Sequence, residues 1–569
     1  MNKNPTKLYL SLVLSLLLGA CSHPIEIVGE GDVTSDGGRS CTLADFLAEL
    51  DNCTENLVSG AYNETYTATP HPLWFFNRWE NCIAPSGNEC TFDIDAATVG
   101  EFQGDTAPPL RAVFTKYQLT GPILPSFAIS LGMGAPVPAD VGYVKEEYFI
   151  EGNATSYTPV LPLPTDGKLE VTANPPTPDG NYKTRMVVMR PLDPADFNGT
   201  VIVEWLNVSA GVDTPPDYIM AHNEFIRSGY TWIGVSAQAV GVNALNGRSR
   251  YASLEHPGDS FSYSMYSHMG MAIKQPGSPL LGGLVPERLI AVGESQSAGR
   301  MVTYIDAVHP MDEIYDGFMV HSRFGSGAPI SQSPLPLYRF SAPAPIRDDL
   351  DVPVFVVLAE GDVIDARLES RQPDTPLIRL WELAGTAHAD AYTIAGLSDN
   401  GDGTVANLMF NYMRQPTNPL GCDNPINAGG HHWTLQAAFD ALNTWVTTVQ
   451  DPDLPDIAPP IGPRLEVEKT SPVELARDMH GNALGGVRSP QIDAPIARLD
   501  ALNGGFSFCR LFGRTVPFTA GKVFGLYPTK EDFLTAWSDA IANAVEGGFL
   551  LEADVAELEA SAETWSYPY

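Results

Sequence analysis

Short apolar runs, each ending in small or polar residues, recur through the second half of the chain. Val201-Ile202-Val203 lies within GTVIVEWLNVSAG (199–211), and TWIGVSAQ occupies 231–238. Leu289 to Val292 follows, then DGFMVHSR (316–323), VPVFVVLAEGDV (352–363) and LIRLWELAGTAHAD (377–390). Apolar runs this short, bounded by turn residues, predict strands buried on both faces. Stretches between them, such as 223–226, can be helical. Strands alternating with helices predict an α/β fold, a mostly parallel central sheet with helices on both faces and right-handed crossovers. Upstream, from about Val141, YVKEEYFIEGNATSY, LEVTA and TRMVVMRP predict antiparallel strands. Residues 21–135 read as irregular, a tether plus a small cysteine-bearing extension. After a Pro-rich connector at 456–464, KEDFLTAWSDAIANAVEGGFL carries the periodicity of an amphipathic helix expected to pack on the main domain. Segments 240–285 and 389–432 are long enough to cover a site as lids. The expected organisation is therefore a leader at 1–20, an extension at 21–135 and a catalytic domain at 136–569.

The densest chemical signal is RLIAVGESQSAGR, 288–300. An apolar strand runs straight into Gly293-Glu294-Ser295-Gln296-Ser297, and small residues continue into a possible helix. A serine on a sharp strand-to-helix turn needs small residues two positions either side, because larger ones collide across the turn. Gly293 and Ser297 meet that need. The helix N-terminus then points at the serine and favours negative charge developing there. Ser295 sits at the strand tip and is the expected nucleophile; a shifted frame would offer Ser297.

A serine hydroxyl needs a base to take its proton and a carboxylate to orient that base. In a strand-turn-helix site of this kind the chain order is serine, acid, histidine. Asp362, just beyond the strand 354–358, holds the expected acid position, with Glu360 as its rival. His388, after the last predicted strand, holds the expected base position; His431 and His432 in AGGHHW are rivals, and His321 reads as a strand-end or pocket histidine. The backbone N–H groups of Gln296 and Asn207 are the expected oxyanion donors. SDNGDGT (398–404) contains part of a calcium-loop pattern without its distal glutamate, and no zinc spacing occurs, so neither a metal nor a cofactor is expected.

GESQSAGR, DGFMVHSR, WELAGTAHAD, SLEHPGDSFSY and INAGGHHW together resemble the bacterial family of α/β-hydrolase domain proteins, from about Val141 to the C-terminus. The resemblance implies the α/β-hydrolase fold and ester hydrolysis but names no substrate; the expected partner is a small-molecule or polymer-derived ester. An amidase or peptidase on the same three residues, and a non-catalytic surface binding lipoprotein, are the alternatives.

Composition and termini narrow the setting. Lys and Arg number 33 against 68 Asp and Glu, a formal charge of −35, which argues against nucleic acid as a partner. Lys3 and Lys7 precede an apolar stretch at 8–18 too short to span a bilayer, the pattern of an export signal. Leu18-Gly19-Ala20-Cys21 resembles the lipobox of bacterial lipoproteins. That implies cleavage before Cys21, lipidation there as the sole membrane link, and, with Ser22 following, sorting to the outer membrane. Asn63, Asn153, Asn198 and Asn207 lie in N-x-[ST] sequons, but a bacterial signal makes glycosylation unexpected. The other six cysteines, Cys41, Cys53, Cys82, Cys90, Cys422 and Cys509, fit three disulfides outside the cytoplasm. The first four are expected to pair among themselves, leaving Cys422 with Cys509.

Overall fold

The computed structural model describes residues 21–58, 62–94, 108–134 and 141–566. The expected leader and the side chain of Cys21 lie outside them. The chain divides into two compact units, Met1–Gln118 and Leu119–Tyr569.

In the first unit, the region expected to be irregular holds small sheets, two of them with three or more strands. One joins Gly31–Ser35, Tyr62–Pro70, Glu89–Ile94 and Ala84–Ser86; the other joins Ile25–Val28, Leu110–Thr115 and Phe75–Glu80. Alternate residues of these strands turn inward. Ile25 and Ile27, Tyr66 and Ala68, and Leu110, Ala112 and Phe114 are buried in one cluster, the period-2 pattern of a half-buried strand. Disulfides Cys41–Cys53 and Cys82–Cys90 staple this unit.

The second unit is built on a nine-stranded mixed sheet. Eight of its strands bear on the site: β1 (Tyr143–Asn153), β2 (Asn181–Pro191), β3 (Thr200–Trp205), β4 (Thr231–Val235), β5 (Arg288–Glu294), β6 (Gly317–His321), β7 (Val354–Ala359) and β8 (Ile378–Leu383). Their spatial order is β1-β2-β4-β3-β5-β6-β7-β8. β1, β2 and β4 pair antiparallel, and β4, β3, β5, β6, β7 and β8 pair parallel. The chain leaves β3 toward β4 on one side and returns to β5 on the other. A crevice opens at such a reversal, beyond the C-terminal ends of β3 and β5.

Helices cover both faces. Helix α1 (Pro216–Arg227) and the later α6 (His431–Gln450) share a core with Ile290 and Val292 of β5, Met319 of β6, Phe355 and Val357 of β7 and Trp381 of β8. Phe225 and Phe439 meet edge-on there at 4.9 Å. On the other face lie α2 (Ser262–Lys274) and α3 (Gln296–Thr303). The Tyr266 hydroxyl of α2 donates to Val203 O at 2.7 Å, and its ring stacks on Tyr315. Segment 240–285, expected as a lid, thus supplies a buried helix of the sheet's own packing. Each fully buried aromatic contributes about 1.5–3 kcal/mol relative to an exposed one.

Two short helices complete the set needed here, α4 (Glu360–Asp365) directly after β7 and α5 (Thr404–Arg414). The tail helix α7 (Lys530–Glu546) starts at a capping box, Thr529 with Asp532, and buries Phe533, Trp537 and Ile541 in the α1/α6 core.

Candidate active site

Strand β5 ends at Glu294, and Ser295 follows with φ 58° and ψ −114°, a backbone region an L-residue rarely enters. A Cβ at Gly293 would lie 2.8 Å from Ser297 O, which is why the position two before the serine must be glycine. Helix α3 begins at the next residue. It aims its first N–H groups at the serine.

The predicted serine, histidine and carboxylate meet at the sheet's C-terminal rim. His388 Nε2 lies 2.8 Å from Ser295 Oγ, and His388 Nδ1 lies 2.6 Å from Asp362 Oδ1. The second oxygen of Asp362 accepts the Ala359 N–H at 2.7 Å, which fixes the carboxylate at the mouth of α4. Phe324 stacks against the imidazole, with ring centres 5.4 Å apart. Burial opposes charge on both members of the His–Asp pair, but mutual attraction wins. The Asp362 carboxyl is held below its usual range, and His388 is lifted to about 9. Ser295 and His388 are 9% and 8% exposed.

The rivals are engaged elsewhere. Glu360 is buried, accepts Gly385 N–H at 2.9 Å and pairs with Arg477. It is a structural ion pair, not the partner of His388. His432 is buried flat against Tyr392 at 3.5 Å, and burial pushes its pKa well down. It is not a base for Ser295. Ser297 is buried inside α3, and its hydroxyl makes no hydrogen bond to His388 or to any other described residue.

One oxyanion donor needs correction. The Asn207 N–H donates to Thr214 O at 2.9 Å and is therefore spent. A local bridge between 207 and 214 closes the loop after β3 and consumes the amide. The side chain of Asn207 instead donates to Glu294, reaching its main-chain O at 3.1 Å and its Oε2 at 3.0 Å. The Gln296 N–H, first in α3, donates to no protein acceptor among the described residues.

Sequence reasoning passed over Glu294 itself. It is buried, and its Oε1 lies 3.3 Å from His388 Nε2. Burial lifts its carboxyl to about 7, against the pull of the His388 and His321 charges. The available signal was a carboxylate at the tip of an otherwise apolar strand, in register with His321 across β5 and β6.

His321 belongs to a second buried series. Its Nδ1 lies 2.8 Å from Asp217 Oδ1, and its Nε2 lies 2.9 Å from His431 Nε2. His431 Nδ1 lies 3.2 Å from Ala387 O and must donate to it, so its Nε2 carries a lone pair. His321 then donates from both nitrogens and is an imidazolium. Burial opposes that charge, and Asp217 outweighs it; burial and the His321 charge push His431 down to about 3. The series ends at the residue before His388.

The segment carrying His388 is also held from outside. Ala389 N–H donates to Leu511 O at 3.0 Å, Ala391 N–H to Asn427 O at 2.8 Å, and Asn427 N–H to Phe512 O at 2.8 Å. Disulfide Cys422–Cys509 ties the two strips that supply these carbonyls. In the 398–404 loop the side chains of Asp399, Asn400 and Asp402 accept N–H groups two residues ahead, ordinary turns leading into α5. Among the described residues no cluster of three or more His, Cys, Asp or Glu is placed to hold a metal ion.

A mostly parallel sheet with its serine on a strained strand-to-helix turn, and an imidazole beyond its last parallel strand, defines the α/β-hydrolase fold. The match of a family model described as "Alpha/beta hydrolase domain" covers residues 117–560. The chain belongs to that family. Among solved structures, it is similar to an α/β serine hydrolase without a lid from Xanthomonas campestris, at 13% identity over 43% of this chain and 88% of that one (TM-score 0.24). It is also similar to a glucuronoyl esterase from Solibacter usitatus, at 10% identity over 42% and 76% (TM-score 0.24). A fungal esterase from Rhizomucor miehei gives 11% identity over 40% and 68% (TM-score 0.21). No curated protein matches the chain.

Proposed function

We propose that the protein is an exported serine esterase in which Ser295, His388 and Asp362 form the catalytic series. The observation that carries the reading is the unbroken hydrogen-bonded path from Ser295 Oγ through both ring nitrogens of His388 to Asp362. In acylation the Oγ–C bond forms at the ester carbonyl as the serine proton passes to Nε2. The ester C–O bond then breaks, and Nε2 returns that proton to the departing alcohol. Water repeats the sequence to release the acid. The Gln296 N–H faces the developing oxyanion. With Asn207 spent, the amide of Val208, which donates to no acceptor among the described residues, is the second donor.

Ser295→Ala is expected to lower esterase turnover by roughly 10³-fold or more and to abolish labelling by a fluorophosphonate. Unchanged turnover would remove the reading. A wild-type protein that never labels would favour a binding scaffold, and faster cleavage of an amide than of its matched ester would favour an amidase. The basic and apolar leader, LGAC at 18–21 and three disulfides support export with a lipid anchor at Cys21. Incorporation of labelled palmitate by the wild type, lost in Cys21→Ser, is the check.

A further inference from the structure

We propose that Glu294 acts on the reaction through His388, holding the imidazolium on its Nε2 side as Asp362 does on its Nδ1 side, and so decides when that ring is free to take the serine proton. The inference rests on the Ser295–His388–Asp362 reading and adds a positioning residue to it.

Glu294 is the last residue of β5, and its backbone leads directly into the strained serine. Its Oε1 lies 3.3 Å from the same ring nitrogen that lies 2.8 Å from Ser295 Oγ. The carboxylate cannot swing away, because the Asn207 amide grips both its Oε2 and its main-chain carbonyl. Glu360, the buried carboxylate that opens α4, pairs with the fixed cation of Arg477. Glu294 faces two imidazoles instead.

The charged and titratable groups around it come from five elements. His388 beyond β8 and His321 on β6 favour its anion; Asp217 at the start of α1 and Asp362 in α4 oppose it. His431 at the start of α6 is neutral and reaches it only through His321. Glu294 ionises at about 7 and His388 at about 9. Between those values the ring is an imidazolium held by two carboxylates, and it cannot accept a proton. Above that range Nε2 is bare and the serine is activated. When the proton then crosses from Oγ to Nε2, the new positive charge forms beside a carboxylate already in place. Glu294 therefore stabilises the charged ring both at rest and in the transition state.

The test uses the full chain, with p-nitrophenyl acetate as substrate and kcat/KM followed against pH. Removing an anion beside an imidazolium makes the ring easier to deprotonate. Glu294→Gln and Glu294→Ala are therefore expected to move the acidic limb down by roughly one pH unit or more, and to lower the plateau about tenfold. Glu294→Asp, which keeps the charge, is expected to stay nearer the wild-type limb. The pH dependence of fluorophosphonate labelling reads the same ionisation without turnover, and either folded neutral variant is enough. A limb that stays in place or moves up in both readouts overturns the inference, while loss of labelling in Ser295→Ala leaves the underlying reading intact. Turnover surviving in Ser295→Ala removes the underlying reading instead.

Discussion

Replacing Asp362 with Asn is the sharpest perturbation of the site, because it removes one charge with almost no change in shape. Asp362 accepts from His388 Nδ1 at 2.6 Å and from Ala359 N–H at 2.7 Å. Asparagine keeps one acceptor for Ala359 and turns an N–H toward the ring. The imidazole must then place its own proton on Nε2, the wrong tautomer for accepting from Ser295. The lost negative charge adds to this. The lift of His388 from 6.5 to about 9 corresponds to about 3.4 kcal/mol, or roughly 300-fold, of imidazolium stabilisation. Burial alone pulls that ring the other way, so the carboxylates together supply more than the net figure. With the tautomer penalty included, kcat is expected to fall by roughly 10³ to 10⁴. The assay is kcat and kcat/KM on p-nitrophenyl acetate, with a thermal melt to show that the fold survives. Glu360→Gln in parallel is expected to keep kcat within about tenfold of wild type. An Asp362→Asn enzyme within tenfold of wild type, beside a Ser295→Ala enzyme that is dead, would refute the reasoning.

Arg477→Met strands the buried Glu360 charge and is expected to cost about 2–3 kcal/mol in urea unfolding, discounted for the partial exposure of the arginine; the double change with Glu360→Gln should recover most of that loss. Cys422→Ser with Cys509→Ser opens a bridge spanning 87 residues and is expected to cost up to about 4–5 kcal/mol. Because those strips hold the His388 segment, kcat should fall more than KM rises; a melt and a kinetic series on the same preparation check both.

The leading residues of the site were legible because each sits at a local signature. The elbow at Ser295 is a steric demand visible in five consecutive residues, and Asp362 and His388 lie just past apolar runs whose lengths mark them as buried strands. The pairing of Cys422 with Cys509 was reached from parity and position. The Asn207 donor was misjudged because whether an amide is free depends on where Thr214 folds back. The first unit was read as irregular because its strands pair with distant segments, Ile25–Val28 with Leu110–Thr115, so no window of the text contains both halves of the pattern.

Taken alone, the order of amino acids determined the α/β architecture and marked Ser295 as the expected nucleophile, with Asp362 and His388 after it as the expected acid and base. These depend on periodicity and on sterics within a few residues. Only the tertiary structure decided which carboxylates and imidazoles touch. Glu294 reaches His388 Nε2, His321 bridges Asp217 to His431, and Glu360 turns away to Arg477. A charged side chain reads the same in the text whether it meets water, a cation or a catalytic ring. Its role is fixed by the few ångströms and the low dielectric that folding imposes.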